Sequence, residues 1–220
     1  MINNIRTALG VVLIAFGVSF VSPAAVITGT YTFPSGNSSP VPTQPNMTYS
    51  PFTFSAGLAD GNKLPGYYET GRWSPAAAVD TTQYVQFTLT PGSGYILSLQ
   101  GITFHDIINS KGPTSGEVQV FLGTGLTLMG TQTFTPGTTD GTVNFNFASF
   151  NTGNGEAVTV RFYGWGSANG GNDNQMGFNN ISFNGSVSSV PEPVNVALGV
   201  FGLCVAGLGV GRKVYARFRA

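Results

Sequence analysis

The chain has 220 residues, of which 41% are hydrophobic and only 8% are charged, whereas about a quarter of the residues in a soluble globular domain are usually charged. Residues 26–190 carry four basic and eight acidic side chains, so this region lacks the basic face that binding to nucleic acid requires. The single cysteine, Cys204, excludes an intramolecular disulfide.

Residues 1–25 have the layout of a secretory signal peptide. Arg6 precedes an apolar run over residues 8–21, and small side chains surround Ala24. This order is typical of a helical segment that directs export and is then removed. We expect cleavage after Ala24, and an uncleaved N-terminal anchor is the alternative.

Residues 26–189 alternate between apolar and polar side chains with the period of two that is typical of half-buried strands. The clearest example places Val85, Phe87 and Leu89 between polar or amphipathic neighbours. The predicted strands cover residues 27–33, 47–54, 84–89, 95–99, 102–107, 117–122, 126–134, 143–147, 158–162 and 178–187. About ten short strands separated by turns predict an all-β fold, a single antiparallel β-sandwich. A jelly roll is the preferred topology, and an immunoglobulin-like sandwich is the alternative.

Four aromatic residues in or beside turn-rich stretches are candidates for contacts with a glycan: Tyr67, Trp73, Tyr163 and Trp165. Exposed rings can stack on sugars, while neighbouring amide and carboxylate groups bind the sugar hydroxyls. The alternative is that these rings cap the ends of the core, as large aromatic side chains usually do. A carbohydrate-binding module of this kind would expose Trp73 and Trp165 together on one face.

The sequence offers little sign of a catalytic site. His105, the only histidine, stands beside Asp106 on a predicted strand, where adjacent side chains point to opposite faces. We expect a solvent-facing histidine, because no nucleophile motif supports a Ser/His/Asp triad. Glycoside hydrolysis would need two carboxylates across a cleft, and the other candidates are Glu117, Glu156 and Asp173. We expect a non-enzymatic protein, with an extracellular glycoside hydrolase as the weakest alternative.

The loop at residues 169–177 (NGGNDNQMG) is rich in oxygen-bearing side chains. Calcium prefers carboxylate and carbonyl oxygens, so a structural Ca²⁺ near Asp173 is a candidate, and a simple Asn/Gly turn is the alternative. A zinc site would need three or four His, Cys or carboxylate ligands. We predict no other cofactor.

The C-terminal residues 190–220 form a three-part segment. A Pro-Glu-Pro turn at Pro191, Glu192 and Pro193 precedes an uncharged run over residues 194–211. As a helix this run would extend roughly 27 Å, close to the ~30 Å hydrocarbon thickness of a bilayer, and it predicts a transmembrane helix. Basic residues follow it, as expected of a cytoplasmic end. They are Arg212, Lys213, Arg217 and Arg219.

This order of motif, apolar span and basic end resembles a PEP-CTERM sorting signal. The resemblance implies that an exosortase, a membrane-bound processing enzyme, recognises the Pro-Glu-Pro motif. Residues 26–189 resemble, more loosely, the β-sandwich ectodomains often attached to such tails, through residues 84–91 (YVQFTLTP), 94–99 (GYILSL) and 161–165 (RFYGW). An ordinary single-span anchor behind a Pro-Glu-Pro linker is the alternative.

These segments together predict an exported protein of the cell envelope or extracellular matrix. Its parts would be a signal peptide at residues 1–25, a β-sandwich ectodomain at residues 26–189 and a sorting signal at residues 190–220. The resemblance implies a structural or adhesive role with exopolysaccharide, after a stage in which the tail lies in the membrane. A carbohydrate-binding module is the alternative function.

Overall fold

The computed structural model describes residues 23–34, 36, 41–61, 64–190 and 201. The predicted signal peptide before Pro23 and nearly all of the sorting signal, including its motif and basic end, lie outside the described residues. Among the described residues, Ala24–Ser188 form one compact unit. Within the described residues, no helix has the length and apolar character needed to cross a membrane.

The elements of the described chain are twelve β-strands. They are β1 (Ala25–Val26), β2 (Met47–Tyr49), β3 (Thr53–Phe54), β4 (Ala59–Asp60), β5 (Tyr68–Gly71), β6 (Val85–Pro91), β7 (Tyr95–Ile108), β8 (Ser115–Leu122), β9 (Thr127–Phe134), β10 (Gly141–Asn151), β11 (Val158–Trp165) and β12 (Met176–Ser189). The predicted strands at 95–99 and 102–107 are one continuous strand, β7, because Gly101 stays paired with Asn146. The predicted strand at 27–33 is reduced to an isolated bridge between Tyr31 and Ile181.

The strands of the described residues form two six-stranded sheets. Sheet I has the order β10-β7-β12-β5-β4, with β1 also paired to β12. Sheet II has the order β2-β6-β11-β8-β9, with β3 also paired to β6. Apolar side chains of both sheets share one core, so the predicted antiparallel β-sandwich is confirmed.

The pairing of the eight longer or central strands follows a nested order. β5 pairs with β12, β6 with β11, β7 with β10 and β8 with β9, all antiparallel. The first strand of this set therefore pairs with the last, and the second with the next to last. This is the connectivity of a jelly roll rather than that of an immunoglobulin-like sandwich.

Aromatic rings fill the space between the sheets. Phe87 of β6 and Phe162 of β11 come from sheet II, and Phe104 and Phe178 come from sheet I; all are almost fully buried. The ring centroids of Phe162 and Phe178 lie 4.4 Å apart, and those of Phe104 and Phe162 lie 5.0 Å apart. Because burial of one such side chain contributes about 1.5–3 kcal/mol, these rings hold the two sheets together. Their polar neighbours along each strand are directed to the outer faces.

Candidate functional site

The outer face of sheet II carries half-buried aromatic and polar side chains. On β11, Val158, Val160 and Phe162 are fully buried in the core, so the alternate residues Arg161 and Trp165 point outward. We call this surface the arginine face. It comprises Tyr84, Gln86, Glu117, Gln119, Phe121, Arg161, Tyr163 and Trp165.

Arg161 stands at the centre of the arginine face. Its guanidinium carbon lies 4.2 Å from the ring centroid of Tyr84 and 5.3 Å from that of Phe121. Its Nε–H donates a hydrogen bond of 3.0 Å to Oε1 of Gln86. Strand register places Arg161 opposite Gln86 on β6 and opposite Gln119 on β8. The guanidinium is thus held in one orientation by two cation–π contacts and one hydrogen bond.

Tyr163 and Glu117 complete the centre of this face. The Tyr163 ring is only 2% exposed, and it meets the Tyr84 ring edge-on at 6.1 Å. Burial raises the pKa of Tyr163, and a hydrogen bond from Arg161 opposes this rise. Glu117 accepts a hydrogen bond from the amide nitrogen of Gln119. Arg161 and Glu117 are the only cation and the only carboxylate among the eight residues of the arginine face, so their formal charges cancel.

The four aromatic residues predicted from the sequence as glycan contacts do not form one surface. Trp73 is 0% exposed, and its indole Nε1–H is satisfied by the carbonyl oxygen of Thr70 at 3.0 Å. Trp73 therefore offers no ring face to a sugar. The prediction that a glycan-binding face would expose Trp73 together with Trp165 is wrong, because Trp73 lies in the core. Tyr163 is also buried, while Trp165 is half-buried on the arginine face and Tyr67 is half-buried beside sheet I.

A second polar group lies on the outer face of sheet I, and we call it the histidine cluster: Tyr67, His105, Asp140 and Thr142. The Tyr67 hydroxyl donates a hydrogen bond of 2.7 Å to Oδ1 of Asp140. Nδ1 of His105 lies 2.9 Å from Oδ2 of the same carboxylate, and Nε2 of His105 lies 3.4 Å from Oγ1 of Thr142. His105 is partly exposed on this face, with 28% of its side chain accessible, as its strand position predicts.

Tyr67 can cross sheet I because Gly177 of β12 has no side chain. A Cβ atom added at Gly177 would lie 2.8 Å from Cβ of Tyr67, closer than real side chains approach. Burial, with the neighbouring Asp140, raises the pKa of Tyr67 to about 12. The hydrogen bond from Tyr67, with a further contribution from His105, lowers the pKa of Asp140. The cluster is therefore an ionised carboxylate between two donors.

Asp106 points to the opposite side of β7 from His105, into the end of the core. It is 2% exposed, and its Oδ2 atom has no hydrogen-bond partner within the described residues. Burial raises the pKa of Asp106 to about 6, and the negative charge of Asp140 adds to this effect. The backbone N–H of Gly137 acts in the opposite direction. Asp106 is therefore a buried carboxyl group and is not accessible to a substrate.

The carboxylates considered for glycoside hydrolysis lie on separate parts of the fold. Asp106 faces the core from sheet I, Glu117 lies on the arginine face, and Glu156 accepts a hydrogen bond in the turn before β11. Asp173 belongs to the loop before β12. The four carboxylates thus belong to β7, to β8, to the turn before β11 and to the loop before β12.

The calcium prediction concerns the same loop. Oδ2 of Asp173 lies 3.5 Å from Nζ of Lys111, which gives this carboxylate a cationic partner from the chain itself. The residues that the structure describes contain no group of three His, Cys, Asp or Glu side chains arranged to hold a metal ion. A structural Ca²⁺ near Asp173 stays a prediction.

Comparison with known proteins adds only distant similarities. No protein-family model and no curated protein matches the chain. Among solved structures, it is similar to one described as "CBM4 structure and function" (16% identity, TM-score 0.39, covering 61% of this chain and 86% of that one). It is also similar to CsCBM6-3 from Clostridium stercorarium in complex with cellobiose (14%, 0.33, 64% and 84%). A third is the secreted serine protease VesC from Vibrio cholerae (11%, 0.33, 63% and 25%). At these TM-scores, nothing about function follows from the similarities.

Proposed function

We propose that this chain is an exported β-sandwich protein that binds an uncharged polysaccharide on its arginine face and serves a structural or adhesive role in the extracellular matrix. The observation that carries the proposal is the position of Arg161 between the rings of Tyr84 and Phe121.

The arginine face combines apolar rings with polar side chains. Sugar rings present apolar C–H faces and a border of hydroxyl groups, so their sites combine aromatic rings with fixed polar groups. Tyr84 and Phe121 supply half-buried rings on either side of Arg161. Gln86 and Gln119 supply amide donors and acceptors in the same cross-strand row. This row continues to Thr53 on one side and Thr131 on the other.

The polar side chains of the arginine face are held in place before any ligand binds. Flexible side chains lose conformational entropy when a ligand fixes them, at a cost of about 0.5–1.5 kcal/mol each. The Arg161 side chain is already held by Gln86 and by the two rings. Gln119 is already held by Glu117. Binding of a hydroxyl-rich polymer would therefore order few additional groups.

The charges of the arginine face favour an uncharged ligand. Arg161 and Glu117 are the two formal charges of the arginine face, and they balance each other. A strongly anionic polymer would meet the Glu117 carboxylate, and a cationic polymer would meet the Arg161 guanidinium. An uncharged polysaccharide meets neither penalty.

The place of action comes from the ends of the sequence. A signal peptide at residues 1–25 and a PEP-CTERM signal at residues 190–220 support export, recognition by an exosortase and a stage in the membrane before processing. The polysaccharide would then be an exopolysaccharide of the envelope or matrix. A structural Ca²⁺ near Asp173 is a secondary part of this proposal.

Substitutions on the arginine face test the binding function. We expect the full chain to bind at least one neutral polysaccharide in affinity electrophoresis. Arg161→Leu and Tyr84→Ala should each weaken that binding about tenfold, which corresponds to about 1.4 kcal/mol. Each change removes a contact that orders the remaining groups, because the guanidinium packs against both rings.

The matched control is Asn146→Ala, which removes an exposed amide from the outer face of sheet I. Its affinity should equal that of the unmodified chain. Retention of full affinity by the Arg161→Leu/Tyr84→Ala double variant would refute the arginine face as the site. Absence of binding across a broad panel of neutral polysaccharides would refute the function itself.

A further inference from the structure

The histidine cluster links a hydroxyl group, an imidazole and a carboxylate in series on the outer face of sheet I. We propose that Thr142, His105 and Asp140 form an acyl-transfer centre that hydrolyses carboxylic esters. This activity goes beyond polysaccharide binding and lies on the opposite face of the sandwich. It would also revise the expectation of a non-enzymatic protein.

The hydrogen bonds around His105 define its role. Nδ1 lies 2.9 Å from Oδ2 of Asp140, and a carboxylate can only accept a hydrogen bond there, so Nδ1 carries the proton. Nε2 is then the unprotonated nitrogen of the neutral ring, and it lies 3.4 Å from the Thr142 hydroxyl oxygen. Nucleophile-to-base distances are often this loose before a substrate binds. The three groups thus have the roles of nucleophile, base and orienting acid.

Strand pairing explains why these groups meet. Thr142 of β10 is the direct antiparallel partner of His105 on β7, and directly opposite residues have their side chains on the same face. Asp140 stands two residues before Thr142, in the turn that leads into β10. The separation of 35 residues between His105 and Asp140 is therefore closed by the sheet itself.

Asn144 supplies a donor for the negative charge that develops during acyl transfer. It is the next outward-facing residue after Thr142 on β10, roughly 7 Å along the strand at about 3.4 Å per residue. Its Oδ1 accepts a hydrogen bond of 2.9 Å from the Thr103 hydroxyl, which turns the amide nitrogen away from that partner. This nitrogen has no hydrogen-bond partner in the described part of the chain. An oriented side-chain amide of this kind can stabilise an oxyanion.

The reaction would proceed in two steps with water as the co-substrate. In the first, Oγ1 of Thr142 attacks the ester carbonyl carbon while its proton passes to Nε2 of His105. The bond from that carbon to the alcohol oxygen breaks, the alcohol leaves with the proton from His105, and the acyl group stays on Thr142. In the second, water gives its proton to His105 and attacks the acyl carbon, which releases the carboxylic acid and returns the proton to Thr142.

Tyr67 and Asp140 are positioning residues in this proposal. The Tyr67 hydroxyl donates to Oδ1 of Asp140, while Nδ1 of His105 lies 2.9 Å from Oδ2 and 3.2 Å from Oδ1. Removal of the Tyr67 hydroxyl leaves more of the carboxylate charge to attract a protonated imidazole. Tyr67→Phe should therefore displace the pH–rate profile toward higher pH, an effect that a purely structural role would not produce.

Hydrolysis of p-nitrophenyl acetate by the full chain tests the proposal. We expect the protein-dependent rate to fall at least tenfold in Thr142→Val, in His105→Gln and in Asn144→Leu. Thr127→Val, a matched change of an exposed threonine on β9 of sheet II, should leave the rate unchanged. Acid quenching during turnover should trap one acetyl group on the peptide that contains Thr142, as measured by mass spectrometry.

Two results would overturn the acyl-transfer centre. One is a rate for Thr142→Val equal to that of the unmodified chain, which would make His105 an ordinary surface imidazole even if His105→Gln lost activity. The other is acetyl transfer to any residue except Thr142. Neither result affects polysaccharide binding on the arginine face, which is measured by affinity and on different residues.

Discussion

Replacement of Phe162 by Ala is expected to lower the free energy of unfolding by about 3–5 kcal/mol. Phe162 is 0% exposed and stands between the two sheets. Its ring centroid lies 4.4 Å from that of Phe178 and 5.0 Å from that of Phe104, both on sheet I. The alanine variant loses the transfer free energy of the ring and leaves a cavity that rigid strands cannot close. Urea unfolding followed by circular dichroism measures the loss.

Phe121→Ala is the matched control for this experiment. Phe121 also belongs to a central strand of sheet II, but its ring is half-buried on the outer face. Its removal leaves no closed cavity, so we expect a loss of less than about 1 kcal/mol. Should Phe162→Ala fail to fold, Phe162→Leu provides a milder test with the same sign. Equal losses in the Phe162 and Phe121 variants would contradict the assignment of inner and outer faces.

Replacement of Asp106 by Asn is expected to stabilise the protein at neutral pH by about 2–3 kcal/mol. Burial raises the pKa of Asp106 from 3.8 to about 6. Between about pH 4 and pH 6, Asp106 is therefore protonated in the folded state and ionised in the unfolded state. Stability therefore falls as the pH rises from about 4 to 6, and the loss is complete above that range. The neutral amide of Asn removes this penalty.

The pH dependence of the difference between the two proteins is the measurement. The advantage of Asp106→Asn in urea unfolding should be largest at pH 7.5 and should shrink as the pH approaches 4. Asp80→Asn is the control with the opposite sign, because hydrogen bonds from the hydroxyl and N–H of Thr82 lower the pKa of Asp80. An advantage of Asp106→Asn that is the same at every pH would show that the carboxylate charge is not its cause.

The sequence predicts the inner and outer faces of single strands well where the alternation is regular. Val85, Phe87 and Leu89 are buried, as their pattern indicates. Gly101 is different, because a glycine between two apolar runs predicts the end of one strand and the start of another. In the structure it continues β7, and a Cβ atom there would lie 3.1 Å from the carbonyl oxygen of Phe145. The glycine permits close approach of β10 instead of ending the strand.

The residues of the arginine face could be predicted singly but not as a group. Tyr84 and Gln86 are outward positions of a regular strand, but their contact with Arg161 depends on the register between β6 and β11. These strands lie some 75 residues apart in the sequence. The packing of the whole core sets their register, and a local sequence pattern carries no information about it. For the same reason, the contact between His105 and Asp140 could not be predicted, because it depends on the pairing of β7 with β10.

Trp73 shows why large aromatic residues mislead a prediction from sequence. Its turn-rich neighbourhood indicates a surface loop, and Arg72 beside it adopts a positive φ of 68°, which is uncommon for a residue with a side chain. That conformation accompanies the turn of the chain after β5. The Trp73 ring then enters the core and donates its N–H to Thr70. Composition alone cannot distinguish this arrangement from an exposed ring.

The arginine face, on the outer side of sheet II, is proposed to bind polysaccharide. The most direct measurement is the change in backbone amide chemical shifts when a neutral oligosaccharide is added to the isotopically labelled chain. The predicted result is a continuous set of shifted amides on β6, β11 and β8, centred on Gln86, Arg161 and Gln119, with β7 and β10 unaffected. Shifts centred on sheet I, or no shifts with any oligosaccharide of a polymer that the chain retains, would contradict the claim.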